Sequence, residues 1–397
     1  MFLMPFILGA QDFGLVISQY SGIDNKRNDD TNFEYDADLL PSFEFLLGDS
    51  GELFLSAGIT LGWKNNDDGF FWMPELLNAE FSWRQGNAEI RAGRMGYADP
   101  LGFIAAGLFD GARFSYSSTA GIISIGAWYT GLLYKKSAYI TMTDAEQDAY
   151  TAEVDLADPQ TYFASRRLLA SLDWEHPSAA QLLHLKAALT AQFDLTDDDD
   201  TYNSQYITLK ASIPFNRLTF ELGGSLETAE LDIAGVKDTN IALAGDAGIY
   251  WMLPANFDSL LSLTARYLSG NTLGIGGAFI PLTNGFYGDI LKAKLSSLSV
   301  LSLNYTMRFT PAFTLGLNAS HFIRNDMVTY KAYPVNTENN AGSSLGTEFF
   351  AQLVWSPFSD LQINLGGGAF LPALGNAASS DEKPWWSVEL SVVFALF

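Results

Sequence analysis

Trp385-Trp386-Ser387-Val388-Glu389-Leu390-Ser391-Val392-Val393-Phe394-Ala395-Leu396-Phe397 closes the sequence and decides how the rest is read. Trp386, Val388, Leu390, Val392, Phe394 and Leu396 occupy alternate positions, the period at which side chains of a strand share a face. That face is wholly apolar, while the other opens with Ser387, Glu389 and Ser391. A soluble sheet would bury such a face beneath a second layer. The sequence supplies no amphipathic helical stripe to serve as one.

The same alternation recurs throughout. Leu53, Leu55, Ala57, Ile59, Leu61 and Trp63 alternate with Glu52, Ser56 and Thr60 after an Asp49-Ser50-Gly51 turn. Leu183, Leu185, Ala187, Leu189, Ala191 and Phe193 repeat the pattern. A chain built this way predicts an all-β fold: a transmembrane antiparallel up-and-down β-barrel, apolar toward lipid and polar toward its lumen. The final strand, ending on an aromatic residue, also resembles the C-terminal signal by which the barrel-assembly machinery recognises bacterial outer-membrane proteins. Its apolar series lies one residue out of phase with Phe397.

Composition agrees. The 397 residues are 14% aromatic and only 17% charged, yet no stretch reaches the ~18 consecutive apolar residues of a spanning helix. Cysteine is absent, which excludes disulfides and thiolate metal sites and suits an exported chain. Net charge is −23, with acidic runs at Asp29-Asp30, Asp67-Asp68, Asp144 to Asp158, Asp197 to Asp200 and Asp381-Glu382, all between predicted strands. These read as solvated surface loops, as cation attractors at a channel mouth, or as bridges through divalent ions to anionic lipid. Nucleic acid does not fit as a partner. Met1 to Ala10 looks like a signal-peptide remnant without its basic region, or is simply the apolar start of a strand, with residues 11–397 as one barrel domain.

Taken in order, the pattern predicts strands near 12–20, 37–48, 52–63, 75–85, 88–97, 109–118, 122–133, 161–175, 182–194, 204–213, 218–228, 240–253, 259–269, 297–309, 314–325, 347–356, 361–371 and 385–397. Eighteen strands, or sixteen if a pair is miscounted near 286–309, put both termini at one end. Short turns fall at that end, the periplasmic one in bacterial outer-membrane barrels, and the long acidic loops at the other, extracellular end. Either count leaves an aqueous lumen. Loops 98–108 and 270–288 are Gly-rich, apolar and nearly uncharged, and are expected to fold into the lumen as a constriction, or to pack on other loops or a partner subunit.

Parity sends a set of charges inward: Arg84, Arg91, Arg113, Arg167, Lys186 and Lys210 on one arc, with Glu221, Glu227, Asp246, Glu348 and Glu389 on another. Opposed arcs would lay a transverse field across a pore. Alternatively the charges pair across neighbouring strands, with Glu80, Glu89 and Asp173 already among the basic residues. Trp63, Trp83, Tyr129, Trp174, Trp251, Tyr267, Trp355 and Trp386 suit interfacial girdles.

One hairpin carries a narrower resemblance. Ile90-Arg91-Ala92-Gly93-Arg94, then Asp99, then Leu108-Phe109-Asp110-Gly111-Ala112-Arg113-Phe114 is similar to the corresponding hairpin of alginate-export-type outer-membrane channels. The resemblance implies eighteen strands and a basic path for an anionic polysaccharide, with Arg91, Arg94 and Arg113 on it. Arg94 and Asp110 would equally form a rim salt bridge.

No catalytic motif, metal-ligand spacing or cofactor loop stands out; the three histidines are His176, His184 and His321. The expectation is an outer-membrane channel, monomeric or trimeric, contacting lipid and passing small hydrophilic solutes, anionic or saccharide among them. The pore-lining candidates are Arg84, Arg91, Arg94, Arg113, Arg167, Lys186, Lys210, Glu221, Asp246 and Glu348. An adhesin-like barrel binding a partner or divalent ions through its acidic loops is the alternative, and a rim hydrolase using His184 a third.

Overall fold

The computed structural model describes residues 8–25, 31–65, 69–179, 182–196, 200–233, 235–254, 257–271, 277–283, 285–327, 342–378 and 383–396. Eighteen antiparallel strands form one closed sheet. They are β1 Leu8–Asp24, β2 Asn32–Leu47, β3 Gly51–Lys64, β4 Gly69–Gln85, β5 Ala88–Ala98 and β6 Ala106–Ser118. Next come β7 Gly121–Tyr129, β8 Arg167–Ala179, β9 Leu183–Asp194, β10 Thr201–Phe215, β11 Leu218–Ile233 and β12 Val236–Met252. The last six are β13 Asp258–Leu268, β14 Leu298–Thr310, β15 Phe313–Arg324, β16 Ser344–Phe358, β17 Leu361–Leu371 and β18 Trp385–Leu396. Each pairs with its neighbours in sequence, and β1 pairs with both β2 and β18, from Leu15 opposite Leu396 to Asp24 opposite Ser387. Closure satisfies every edge, the condition for a sheet to stand in lipid.

The terminal strand shows why the ring faces outward as it does. Val388, Leu390, Phe394 and Leu396 are 37–46% exposed, whereas Trp385 and Ser387 on the other face are buried. The same outward row runs round the barrel through Phe43, Ile59, Leu189, Ile207, Leu222, Leu303 and Phe349. Trp63, Trp251, Tyr267, Trp355 and Trp386 lie among these exposed residues, as a girdle requires. Most strands, at 12 to 17 residues, exceed the ~9–11 needed to span, so several project beyond the apolar belt.

Short turns gather at one end. Gly86 and Asn216 adopt φ of +57°, which lets the chain reverse within two residues. The opposite, loop end differs from the expectation in detail. Strands β1, β2 and β4 begin or end well into segments expected to be loops, and β1 starts at Leu8, inside the expected leader remnant. The loop expected over 229–239 is largely strand, with β11 running to Ile233 and β12 starting at Val236. Strand β8 starts at Arg167 rather than 161, because Pro159–Thr161 forms a 3-10 turn instead. The loop before it carries two short helices, α1 Lys135–Ala138 and α2 Asp144–Thr151, the second fixed by a Thr143/Glu146 capping box. Near 286–309 there is no extra barrel strand: Phe286–Tyr287 and Ala293–Lys294 pair only with each other. Phe397, most of the loop from 326 to 346, and the acidic runs at 29–30, 67–68, 197–199 and 381–382 lie outside the described residues.

Candidate pore and its wall

The lumen is narrowed by its own loops. Residues 99–105 leave β5 and reach across the bore: Leu101, Phe103 and Ile104 are at most 6% exposed and pack with Tyr206, Ala242, Ala244 and Leu268 on β10 to β13. In a ring of eighteen, β13 is nearly opposite β5. The second inward loop, 277–297, meets the first at Ile104, whose carbonyl accepts from Leu282 N at 2.7 Å and Thr283 N at 3.2 Å. Ala106 N donates in turn to Thr283 Oγ1 at 2.9 Å. A Gly-rich apolar segment is suited to this position because water is excluded there and the backbone must pass close to the wall.

Buried main-chain donors need acceptors, and carboxylates supply them. Asp99 accepts from the N–H groups of Leu101, Gly102, Ile104 and Ala105 at 2.8–3.1 Å. Glu348 accepts from Asp289, Ile290 and Leu291, and Glu227 from Ile280 N and the Tyr202 hydroxyl. Burial pushes the Asp99 carboxyl above its ordinary range, with those four donors pulling the other way, and lowers the Lys294 ammonium.

Three of the ten expected pore-lining residues therefore do other work. Glu348 is 0% exposed and seats residues 289–291. Arg167, also 0% exposed, donates to Glu146, Asp194, Gln192 and the Tyr202 carbonyl, tying α2 to β9 and β10. Arg94 is 7% exposed; it forms a two-pronged bond with Asp110 and donates to the Leu76 and Leu132 carbonyls. Parity gave the face of a strand and not what covers it, and the Arg94–Asp110 pair is the salt bridge weighed as the alternative for those two residues.

The other seven are only partly buried, and they come as pairs. Arg91 binds Glu80, Arg84 binds Glu89 at 2.9 Å, Lys210 binds Glu221 at 3.0 Å, and Lys186 lies 3.5 Å from Glu175. Asp246 accepts from Arg266 Nε at 3.2 Å. The acids noticed among the basic residues are thus their partners, and the two-arc separation expected from strand parity dissolves into cross-strand ion pairs. Arg113 is the loosest of them, 4.0 Å from Asp173, with its Nε buried and without a hydrogen-bond partner among the described residues. It borders a cavity of about 440 Å³ with Arg84, Arg91, Ser115 and Ser124, and a smaller one beneath the 99–105 loop with Lys186 and Glu175.

Two features escaped the sequence reading. Arg266 is held under the inward loops, 4.1 Å from the Phe103 ring and 5.2 Å from that of Tyr287. The alternation Glu34, Asp36, Asp38 belongs to β2 and faces inward; it was legible, but starting that strand at 37 assigned its first two carboxylates to a loop. Among the histidines, His184 is engaged by Glu175 at 2.8 Å, and His321 lies between the Thr347 and Ser344 hydroxyls.

Neither a protein-family profile nor a curated protein sequence matches the chain. Solved structures do. Pseudomonas aeruginosa OccK2 (OpdF), in a crystal structure with glucuronate, is 13% identical with a TM-score of 0.62, covering 98% of this chain and 97% of its own. The outer-membrane protein OpdK of the same organism is 14% identical, also with a TM-score of 0.62, covering 98% and 100%. OccK5 (OpdH) is 15% identical with a TM-score of 0.58 and 99% coverage of each chain. At such identities the likeness establishes the fold alone: an eighteen-stranded antiparallel β-barrel on the same frame as these Pseudomonas aeruginosa proteins.

Proposed function

We propose that the protein is a non-enzymatic channel of the bacterial outer membrane through which small hydrophilic solutes diffuse passively. The observation that carries this reading is the 440 Å³ cavity inside the ring, walled by charged and hydroxyl side chains while the opposite face of the same strands is apolar. A wall of fixed ion pairs stays wet and offers hydrogen bonds in both senses, which suits sugars and other small polar solutes. OccK2, in a crystal structure with glucuronate, is similar in fold and supports the saccharide part of that range. An anionic polysaccharide of the alginate kind would depend on Arg91 and Arg113, since Arg94 is consumed internally.

The test is single-channel recording of the refolded protein in a planar bilayer. Discrete conductance steps are expected. A folded barrel that never conducts would overturn the channel reading and favour a barrel that binds a partner through its loops.

A further inference from the structure

The inward loops do not fill the bore evenly. In the loop-end half, inward side chains from β5 round to β17 are covered: Tyr97, Trp128, Tyr206, Phe322 and Phe370 are all at most 4% exposed. Residues 99–105 and 277–297, together with the helical loop above β7 and β8, form the cover. On β1, β2 and β3, and at Glu389 of β18, the equivalent side chains stay half-buried: Ser18, Tyr20, Glu34, Asp36, Asp38 and Thr60. Among the described residues, the free cross-section is therefore displaced against one wall.

That wall is acidic. Asp24, Glu34, Asp36, Asp38 and Glu389 face inward there with Lys64, which pairs with Glu34 at 2.6 Å. A cavity of about 100 Å³ lies between Tyr20, Asp24, Glu34, Lys64, Ser387 and Glu389. The carboxylates are held in place: Asp38 accepts from the Ser18 and Thr60 hydroxyls, both at 2.7 Å, and Tyr20 donates to Glu389 at 3.5 Å.

We infer that permeation through the loop-end half follows β18, β1, β2 and β3, and that the carboxylates of this passage make it select small cations, inorganic or ammonium-bearing, over anions. The inference rests on the channel reading. Fixed charges lining a narrow gap act within the ~8 Å Debye length of physiological salt, so every ion in transit feels them. The arginine-lined cavity lies nearer the turns, past this filter, where each cation of the wall already has an acidic neighbour.

The native chain has no cysteine, so single thiols report the route directly. In reconstituted vesicles, Ser18→Cys and Thr60→Cys should react with small charged methanethiosulfonates, whereas Ser204→Cys and Ser302→Cys, beneath the inward loops, should not. The cationic reagent should outpace the anionic one at residue 60 by about tenfold or more. In a KCl gradient the reversal potential should mark K⁺ as the preferred ion, and Asp36→Asn/Asp38→Asn/Glu389→Gln should lower the K⁺:Cl⁻ permeability ratio severalfold, with folding checked by migration of unheated protein. Equal labelling at 18, 60, 204 and 302 would overturn the route, and an anion-preferring channel unmoved by the triple substitution would overturn the filter. Labelling needs no conduction, so a silent barrel would defeat the channel reading while the thiols still decide the route.

Discussion

Arg167 is a charge with no access to solvent, and it persists because Glu146 and Asp194 accept from it along with Gln192 and the Tyr202 carbonyl. Removing one partner of such a group costs more than the pair contributes, because the remaining charges stay buried. Arg167→Gln should therefore lower the stability of the folded barrel by about 3–5 kcal/mol in a urea titration in lipid, with Arg167→Lys recovering part of it. Arg113 behaves oppositely. With a single 4.0 Å ionic neighbour and an open cavity beside it, Arg113→Gln should leave stability nearly unchanged. Its effect should appear in transport, as a rise in the K⁺:Cl⁻ permeability ratio in a KCl gradient.

At the scale of the element, the 99–105 loop depends on one side chain. Asp99 receives four main-chain N–H groups, and Asp99→Ala leaves them without an acceptor in a dry site. The loop should then leave its seat on β10 to β13, and single-channel conductance should rise severalfold with no loss of barrel migration on unheated gels. An unchanged conductance would mean that the loop contributes nothing to the constriction. The strands set the complementary case. Leu303 faces lipid and Asn304, its neighbour in β14, faces the lumen. Leu303→Arg should cost about 2–4 kcal/mol near the bilayer midplane, while Asn304→Arg should be tolerated and shift ion preference instead.

For the whole molecule, closure governs behaviour. Because β1 zips onto β18 over ten residue pairs, from Leu15–Leu396 to Asp24–Ser387, the barrel has no edge at which to unravel. Unheated protein should run as a compact band in dodecyl sulfate gels and shift on boiling. The same closure decides the chemistry of the bore. Every inward position of eighteen strands competes for one lumen, and the loops fill most of its loop-end half, so a residue's place round the ring matters as much as its face.

The sequence by itself determined the barrel, its strand number to within a pair and the facing of most strand positions, because a period of two and the apolarity of one face are local properties that lipid enforces on every strand alike. It also marked the two uncharged loops as unfit for exposure. Only the tertiary structure decided which inward charges meet water. Arg94, Arg167 and Glu348 read as pore residues by the same parity that places Arg91 and Arg113. What separates them is the packing of α2 on Arg167, of Asp110 beside Arg94, and of residues 289–291 on Glu348, contacts that the face of a strand does not encode. The acidic wall of β1 to β3 emerged for the same reason: an alternation of carboxylates has no visible role until the loops opposite are known to close the rest of the passage.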